Sequence, residues 1–286
     1  MSTVTTKTQQ YLTYILTDGD SQVAVVPERG GIVTSWQVKG KEVFYLDAER
    51  FADPSLSVRG GIPLLFPICG NLPDDTYTLD DDDTYKLKQH GFGRTLPWEV
   101  TQQSTDQGAS LTITLTSSEE TLAVYPFEFQ LDYIYTLKGN TLEQRFRHTN
   151  LSEDVMPFST GTHPYFAVTD KTKLVFDLPS TDYKVKGGNQ VFAFDGQFDF
   201  NKDEIDVAFI NLSGQTATVK DGNSTLSITY DENYSTLVFW TVKGKDFYCL
   251  EPWSGPRNAI NTGDFLLSAA PQETVETVIS MTVGVG

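Results

Sequence analysis

Hydrophobic and polar residues alternate along much of the chain. The alternating segments are rich in Val, Ile, Thr, Tyr and Phe and end at Gly, Asn, Asp or Pro, as β-strands with one buried face do. Segments of this kind predict strands at 110–117, 130–139, 141–150, 173–179, 225–232, 235–244 and 274–285. The residues LKGN, between the second and the third of these, are typical of a hairpin turn.

The period of the pattern decides the predicted fold class. No segment of about 12 residues or more has the 3.6-residue period of an amphipathic helix. Many strands at short spacing instead predict an all-β protein, built as a sandwich or a barrel. Because no linker-like change in composition and no repeat divides the chain, we predict a single domain over residues 1–286.

Two stretches interrupt the alternation. Residues 52–98 are rich in Pro, Gly and Asp, and residues 178–190 (LPSTDYKVKGGNQ) predict a long surface loop. Within the first stretch, the run DDDDT at 80–84 predicts an exposed turn, since neighbouring carboxylates repel one another. A calcium-binding loop is the alternative, although the run lacks the acidic spacing, central Gly and closing Glu of an EF-hand loop.

Charge and cysteine content narrow the range of partners. The net charge of −17 and the pI near 4.4 argue against a general affinity for nucleic acid or anionic membranes. Cys69 and Cys249 lie in apolar runs and are predicted to be buried free thiols. The N-terminal sequence does not resemble a signal peptide, and no apolar stretch approaches the roughly 20 residues of a membrane span, so we expect a soluble, cytoplasmic protein.

Histidine is scarce, and two of the three histidines have unusual neighbours. His90 lies in KQHGFGR, where two glycines let the backbone approach a ligand, and His163 lies in STGTHPYF beside an aromatic pair. A hydrogen-bonded core histidine is the alternative for each. His148, in RFRHTN, is predicted to be an ordinary strand residue.

Two acidic residues occur in apolar runs. Glu251 follows FYCL, where a carboxylate destabilises the fold unless it is paired, hydrogen-bonded or used in function. An ion pair with Arg257, in the same loop, is the structural alternative. Asp206, in KDEIDVAF, gives a weaker signal, because an Asp in such a run usually lies at a turn or on the surface.

Several kinds of site lack their sequence motif. The chain has no HExxH, no CxxC and no close pair of histidines, so no metal site is predicted. It also lacks GxGxxG, a P-loop and GxSxG. An acid and one or two histidines in Gly-rich and aromatic-rich loops remain, which suits cofactor-free acid–base chemistry on a small polar molecule.

Five stretches, taken in order, resemble the aldose 1-epimerase (galactose mutarotase) family: VRGGIPLLFPICGNLPDDTY, KQHGFGRTLPWEV, STGTHPYFAV, DEIDVAF and CLEPWSGPRN. The ordered set HGFxR, THPYF and LEPW is the specific part of a resemblance that covers essentially the whole chain. It is greatest to the branch that contains hexose-6-phosphate mutarotases and related bacterial proteins. The resemblance implies a large antiparallel β-sandwich, in agreement with the strand pattern.

The resemblance implies an acid and a base. Glu251 matches the family's catalytic base, which takes the proton from the C1 hydroxyl of the cyclic sugar. His163 matches the general acid, which protonates the ring oxygen. The ring opens, C1–C2 rotates, and reclosure gives the other anomer without a cofactor or a metal. An acid and a base on opposite sides of the sugar would suffice, each contributing about 10²–10⁴-fold in rate.

The resemblance also implies a sugar pocket. His90 matches a substrate-binding histidine, and Asp206 matches an acid that holds sugar hydroxyls. Aromatic side chains suit the apolar faces of a sugar ring. The aromatic residues expected to line the pocket are Tyr165, Phe166 and Trp253.

The sequence does not decide whether the sugar substrate carries a 6-phosphate. Arg59, Gln89 and Arg94 match substrate-binding positions of the phosphosugar branch, with the arginines on the phosphate side. Relatives that act on unphosphorylated sugars often carry an Arg after the Gly of a PxxG segment, where this chain has Asn71. Phosphosugar relatives have a Trp-Pro-Phe-Gly pattern where this chain reads LLFPICG. The sequence therefore combines features of both groups.

The predicted function is that of an isomerase that interconverts the α and β anomers of an aldohexose or a hexose 6-phosphate. A small sugar or sugar phosphate is the expected partner. A catalytically silent sugar-binding protein of the same fold is the alternative, and the presence of both His163 and Glu251 favours the enzyme. A polysaccharide-processing enzyme would need a long groove and paired carboxylates, and only one well-placed carboxylate is seen.

Overall fold

Strands dominate the structure, a computed structural model that describes residues 1–79 and 83–285. In chain order the strands are β1 (Thr3–Thr8), β2 (Leu12–Asp18), β3 (Ser21–Val26), β4 (Ile32–Val38), β5 (Lys41–Glu42), β6 (Leu64–Leu65), β7 (Thr76–Thr78), β8 (Thr84–Lys86), β9 (Glu99–Ser104), β10 (Ala109–Thr116), β11 (Phe129–Lys138), β12 (Thr141–Asn150), β13 (Met156–Phe158), β14 (Gly161–Thr162), β15 (Tyr165–Ala167), β16 (Val175–Asp177), β17 (Asp182–Val185), β18 (Val191–Ala193), β19 (Glu204–Ile210), β20 (Thr216–Asp221), β21 (Ser224–Tyr230), β22 (Thr236–Val242), β23 (Phe247–Trp253), β24 (Leu267–Ala269) and β25 (Thr274–Val285). The helices are short: α1 (Ala48–Ala52), α2 (Glu119–Leu122) and α3 (Ala259–Thr262), with 3₁₀ turns at Pro27–Arg29, Pro73–Asp75 and Lys171–Lys173. The all-β prediction is confirmed.

The strands form three sheets and two short ribbons. The first sheet has the order β1-β2-β3-β4-β5, and the second has the order β16-β20-β21-β25-β12-β11-β10-β9. The third has the order β18-β17-β19-β22-β23-β14-β6, with β15 also pairing with β23, and the ribbons are β7-β8 and β13-β24. Their ladders are antiparallel, and the predicted hairpin joins β11 to β12 where Lys138 pairs with Thr141.

A hydrophobic core lies between the sheets. In β11, Leu131, Tyr133 and Tyr135 are buried, and the residues between them are partly exposed. The period of two in the sequence therefore marks the inner face of a sandwich. Apolar side chains of the second and third sheets meet there, as where Phe176 of β16 contacts Phe239 of β22 with 5.4 Å between ring centroids. Burying a side chain of this size contributes roughly 1.5–3 kcal/mol to the free energy of unfolding.

The strand predictions are confirmed with small shifts at the strand ends, which are the least certain part of any assignment. The predicted segments correspond to β10, β11, β12, β16, β21, β22 and β25. The largest difference is at 173–179, where the strand covers only Val175–Asp177 and a 3₁₀ turn precedes it.

The surface loop predicted for residues 178–190 is wrong at its centre. Residues Asp182–Val185 form β17, which pairs with β18 on one side and β19 on the other. The ring of Tyr183 packs against Phe192 and Phe209, with centroid distances of 5.7 and 5.9 Å. Pairing and packing against a strand distant in sequence outweigh the local Pro and Gly content, because strand preference depends strongly on such neighbours.

Three further predictions have different outcomes. Cys69 and Cys249 are buried free thiols, as predicted. Within the described ranges, no helix has the length and apolar character needed to cross a membrane. The turn predicted at 80–84, with its calcium alternative, rests on residues 80–82, which lie outside the described residues.

A tightly held loop after β8 reaches the centre of the molecule. The backbone N–H groups of Phe92 and Gly93 both donate to the carbonyl of Phe66, at 2.9 and 3.1 Å. Gly91 is so close to this carbonyl that a Cβ would lie 2.2 Å from the Phe66 oxygen, and the φ of Gly91 is +65°. Only glycine satisfies both constraints, so this residue fixes the path of the loop that carries His90.

Replacing Gly91 with Ala is expected to lower the free energy of unfolding by about 3 kcal/mol. A left-handed backbone costs an L-residue about 1–2 kcal/mol, and overpacking adds about 1–3 kcal/mol. The control is Gly19→Ala, because Gly19 has a φ of +59° and nothing within 4 Å of the added Cβ. Urea unfolding of both variants measures the difference, and equal losses of stability would contradict the close contact at Gly91.

Candidate active site

The residues singled out in the sequence meet in one cleft. Residues of β15, β19, β22 and β23 form part of it, and its volume, which includes open solvent at the mouth, is about 740 Å³. The residues that line it are Ser57, Val58, Arg59, Gln89, His90, Arg94, His163, Tyr165, Lys186, Glu204, Asp206, Trp240, Glu251, Trp253 and Arg257. The structure thus brings together the two predicted catalytic residues and the five predicted substrate-binding residues His90, Asp206, Arg59, Gln89 and Arg94.

Glu251 and His163 are in direct contact in this cleft. The Oε1 atom of Glu251 lies 3.3 Å from Nε2 of His163. The Oε2 atom of Glu251 accepts a hydrogen bond from Nε1 of Trp253 at 3.2 Å. Glu251 is 1 % exposed and His163 is 9 % exposed. The carboxylate that interrupts an apolar strand therefore has a partner on each oxygen and still reaches the cleft.

Strand geometry fixes this contact. Glu251 and Trp253 are two residues apart in β23, so their side chains point to the same face of the sheet. The short strands β14 and β15 flank His163, and both pair with β23. This pairing places His163 beside Glu251. The imidazole ring stacks on Tyr165, with the ring centroids 4.8 Å apart and the planes 14° from parallel.

Burial shifts the pKa values of the two groups in opposite directions. Loss of solvation raises the pKa of Glu251 well above 4.5, and the neighbouring Asp206 adds to the shift. Loss of solvation lowers the pKa of His163 to about 3, and Arg94 adds to that shift. Burial therefore disfavours an isolated charge on either group, and a proton shared between the two avoids it. One group can accept a proton from a ligand while the other donates one.

His90 is held as a neutral hydrogen-bond donor. Its backbone N–H donates to the carbonyl of Gly70 at 2.7 Å, and Nδ1 accepts from the N–H of Gly70 at 3.0 Å. Burial lowers the pKa of His90 well below 6.5. Because Nδ1 is an acceptor, the neutral ring carries its proton on Nε2. The Nε2 atom of Gln89, 3.2 Å away, is also a donor, so turning that amide by about 180° would give the ring an acceptor oxygen.

Asp206 is anchored between two cations. Its Oδ1 lies 2.6 Å from Nη2 of Arg257, and its Oδ2 lies 3.2 Å from Nζ of Lys186. The guanidinium of Arg257 also lies over the ring of Trp253, 5.1 Å from the centroid. Asp206 is a buried residue of β19, so the turn or surface alternative is wrong. Arg257 forms its ion pair with Asp206 rather than with Glu251, so that alternative is wrong too.

Arg59 and Arg94 differ from these cations in having no carboxylate partner. Among the residues that the structure describes, neither guanidinium lies within 4.0 Å of a carboxylate oxygen. Nη2 of Arg94 donates to the carbonyl of Gln89 at 2.8 Å, whereas its buried Nε has no hydrogen-bond partner in the described part of the chain. In the described part of the chain, the cleft therefore contains two guanidinium groups that form no ion pair.

Aromatic side chains form part of the cleft wall. Tyr165 and Trp253 line the cleft as predicted. Phe166 does not, and that prediction is wrong. Successive residues of a strand point to opposite faces, so Phe166 of β15 points into the core, where it is 2 % exposed.

Six lining residues were not predicted to belong to the site: Ser57, Val58, Lys186, Glu204, Trp240 and Arg257. Glu204 is two residues from Asp206 in β19, so strand alternation places both on one face and could have identified it. Trp240 pairs with Asp206 across β19 and β22, and its Nε1 donates to Glu204 at 2.6 Å. Lys186 follows β17, in the segment that was predicted to be a loop. For these last two residues the signal is the strand register, which the sequence does not contain.

His148 is a core residue, which confirms the prediction of an ordinary strand position. It is fully buried, its ring stacks on Phe158 at 4.6 Å, and its Nε2 lies 3.0 Å from the hydroxyl of Tyr133. Burial lowers the pKa of His148 from 6.5 to about 3. The unfolded chain therefore binds a proton at this residue between pH 6.5 and 3, and the folded chain does not.

We expect His148 to lower the free energy of unfolding as the pH decreases. The variant His148→Asn should lack this contribution. The unfolded state binds the extra proton, so the wild type should lose about 2 kcal/mol between pH 7.5 and pH 5 through this residue. Urea unfolding of both proteins at these two pH values measures it. The wild type should lose more stability than the variant, and parallel pH profiles would contradict a neutral buried His148.

Comparison with known proteins agrees with the fold and identifies the family. The sequence matches the family model for aldose 1-epimerase over residues 13–282. The solved structure of the Slr1438 protein from Synechocystis sp. PCC 6803 is 44 % identical, with a TM-score of 0.94 and 97 % of each chain covered. The chromosomal LacX protein of Lactococcus lactis subsp. lactis is 26 % identical over 93 % of this chain and 92 % of its own.

Two further proteins are similar to this chain over part or all of its length. A protein of Escherichia coli K12 named "Putative glucose-6-phosphate 1-epimerase" is 29 % identical over 57 % of this chain and 51 % of its own. A galactose mutarotase-like protein from Clostridium acetobutylicum is 20 % identical with a TM-score of 0.85, covers 99 % of its own chain and 100 % of this one, and has the same fold. Since the family model covers most of the residues, the chain belongs to the aldose 1-epimerase family of isomerases.

Proposed function

We propose that the protein interconverts the α and β anomers of a hexose 6-phosphate by opening and reclosing the sugar ring. The contact between Glu251 and His163 is the observation that carries this proposal. Ring opening needs one proton removed from the C1 hydroxyl and one delivered to the ring oxygen. These two oxygens are bonded to the same carbon, so a carboxylate and an imidazole 3.3 Å apart suit them. The acid and the base lie side by side here, not on opposite sides of a sugar.

The reaction starts with Glu251 ionised and the shared proton on His163. Glu251 accepts the proton of the C1 hydroxyl as C1 becomes a carbonyl. The bond between C1 and the ring oxygen breaks, and its electron pair stays on that oxygen, which takes the proton from Nε2 of His163. Rotation about C1–C2 presents the other carbonyl face, and the reverse transfers close the ring. Each positioned acid or base contributes about 10²–10⁴-fold to the rate.

Neighbouring groups suit the hydroxyls of the sugar. His90 offers an N–H at Nε2, and Asp206 offers carboxylate lone pairs beyond those used by its two cations. Trp253 and Tyr165 provide apolar surface for the faces of the ring. The ion pair with Arg257 holds Asp206 in place. The contact of the Arg257 guanidinium with the ring of Trp253 fixes Arg257 itself.

The charges of the cleft support a phosphorylated substrate. Four cationic and three acidic side chains line the cleft, while the whole chain has a net charge of −17. Two of the cations, Lys186 and Arg257, are paired with Asp206. Arg59 and Arg94 stay available, and guanidinium groups bind phosphate through charge-assisted hydrogen bonds. The named assignment of the Escherichia coli relative to glucose 6-phosphate agrees with this choice.

Glu251→Gln is expected to lower kcat by about 10²–10⁴-fold with little change in KM, because glutamine cannot accept the proton. The amide can still accept the hydrogen bond from Trp253, so the fold should be retained. NMR magnetisation transfer between the anomers of glucose 6-phosphate measures the exchange. Glu204→Gln is the matched control, since Glu204 lines the same cleft and bonds to Trp240, and its loss should be much smaller. Turnover by Glu251→Gln at the wild-type level would contradict the mechanism.

Arg59→Ala and Arg94→Ala should each raise KM for glucose 6-phosphate about tenfold or more, since a hydrogen bond to a charged group contributes about 1.5–3 kcal/mol. Exchange of free glucose should change little. Arg147→Ala is the control, because it removes a guanidinium from an exposed position of β12 outside the cleft. Equal losses on both sugars would show that the two arginines bind hydroxyls or support the fold.

A further inference from the structure

A third side chain with metal-binding chemistry lies beside the acid–base pair. Cys249 is two residues before Glu251 in β23, so the two side chains point to the same face. The Sγ of Cys249, a ring nitrogen of His163 and a carboxylate oxygen of Glu251 all lie within 4.8 Å of one another. We propose that these three side chains bind a thiophilic divalent cation such as Zn²⁺ and that the bound cation inhibits the enzyme. The inhibitory part rests on the proposed function.

The spacing of the three donors suits a tetrahedral ion. Zinc bonds of about 2.0–2.3 Å to oxygen, nitrogen and sulfur place neighbouring ligand atoms about 3.3–3.7 Å apart. The Oε1 atom of Glu251 and Nε2 of His163 are already 3.3 Å apart. The sulfur has to move closer by about 1 Å at most to complete this geometry. Small side-chain rotations supply such a movement.

The donor set selects the type of cation. Thiolate and imidazole favour zinc and related soft or borderline ions, whereas Mg²⁺ and Ca²⁺ prefer oxygen ligands only. Three protein ligands leave one coordination position of a tetrahedral ion for a water or a sugar oxygen. Because Glu251 and His163 line the cleft, that position faces the substrate space.

The surroundings of the donors favour binding without a large rearrangement. The second oxygen of Glu251 is already held by Nε1 of Trp253, which orients the carboxylate. The Nδ1 atom of His163 is buried and has no hydrogen-bond partner among the described residues. The tautomer of this ring is therefore not fixed by a hydrogen bond at Nδ1. The ring can present an unprotonated nitrogen to a cation.

Binding would disable the acid and the base together. The cation enters through the cleft, which Glu251 and His163 line, whereas Cys249 is fully buried and is not a lining residue. The thiol of Cys249 releases its proton to solvent, and the proton shared by Glu251 and His163 is released in the same way. The lone pairs that would accept and deliver the protons of the reaction are then bound to the metal. The metal-bound protein should therefore lose turnover.

Cobalt titration of the tag-free, chelator-treated protein tests the site directly. Co²⁺ should give the thiolate-to-metal charge-transfer absorption in the wild type and in Cys69→Ser, which removes the other buried thiol. Cys249→Ser should lose this absorption and bind Co²⁺ at least about tenfold more weakly. Absence of the absorption in the wild type, or unchanged binding in Cys249→Ser, would overturn the proposal.

An activity measurement tests the inhibition separately. Zn²⁺ should inhibit anomer exchange in the wild type and in Cys69→Ser, and Cys249→Ser should need at least about tenfold more Zn²⁺. If the protein exchanges no anomers, the cobalt spectra still decide whether the metal site exists, so the two proposals fail independently. If Cys249→Ser does not fold, cadmium NMR on the wild type distinguishes a ligand set that contains sulfur from one that does not, and the latter result would refute the site.

Discussion

The structure of the site depends on the burial of one carboxylate. Glu251 lies in β23, a strand with every residue buried. Loss of solvation there disfavours the charged form, and the fold tolerates the group because His163 and Trp253 each contact one of its oxygens. The same burial makes the carboxylate a stronger base and the neighbouring imidazolium a stronger acid. A feature that would only destabilise an ordinary strand is thus the origin of the proposed acid–base chemistry.

The surrounding elements keep this pair in place and set the charge around it. Strands β14 and β15 position His163 by pairing with β23, and Gly91 positions the loop that carries His90. Asp206 forms ion pairs with Lys186 and Arg257, while Arg59 and Arg94 form none within the described residues. The cleft is therefore locally suited to an anion in a chain that is otherwise strongly acidic. Cys249 adds a sulfur donor beside the pair. This donor is the basis for the proposal that the three side chains bind a thiophilic metal ion.

Much of the fold could be predicted from the sequence, because apolar and polar residues alternate along strands that have one buried face. The segment around Tyr183 could not, since its pairing with β19 is decided by residues far away in the sequence. Motif order predicted the members of the cleft, including His163, Glu251 and Asp206. It could not predict partners: Arg257 pairs with Asp206 rather than Glu251, and Phe166 points into the core. The cluster with Cys249 was missed for a related reason, because its members come from two strands and have no metal-binding spacing in the sequence.

Anomer exchange of glucose 6-phosphate in D₂O, followed by NMR magnetisation transfer between the two anomeric protons, tests the central claim most directly. Acid–base ring opening at Glu251 and His163 predicts faster exchange with protein than without it, and no deuterium at C2. Incorporation of deuterium at C2 would indicate a different isomerisation. Unchanged exchange of this sugar and of free glucose and galactose, with binding retained, would contradict the account and identify a silent sugar-binding member of the family.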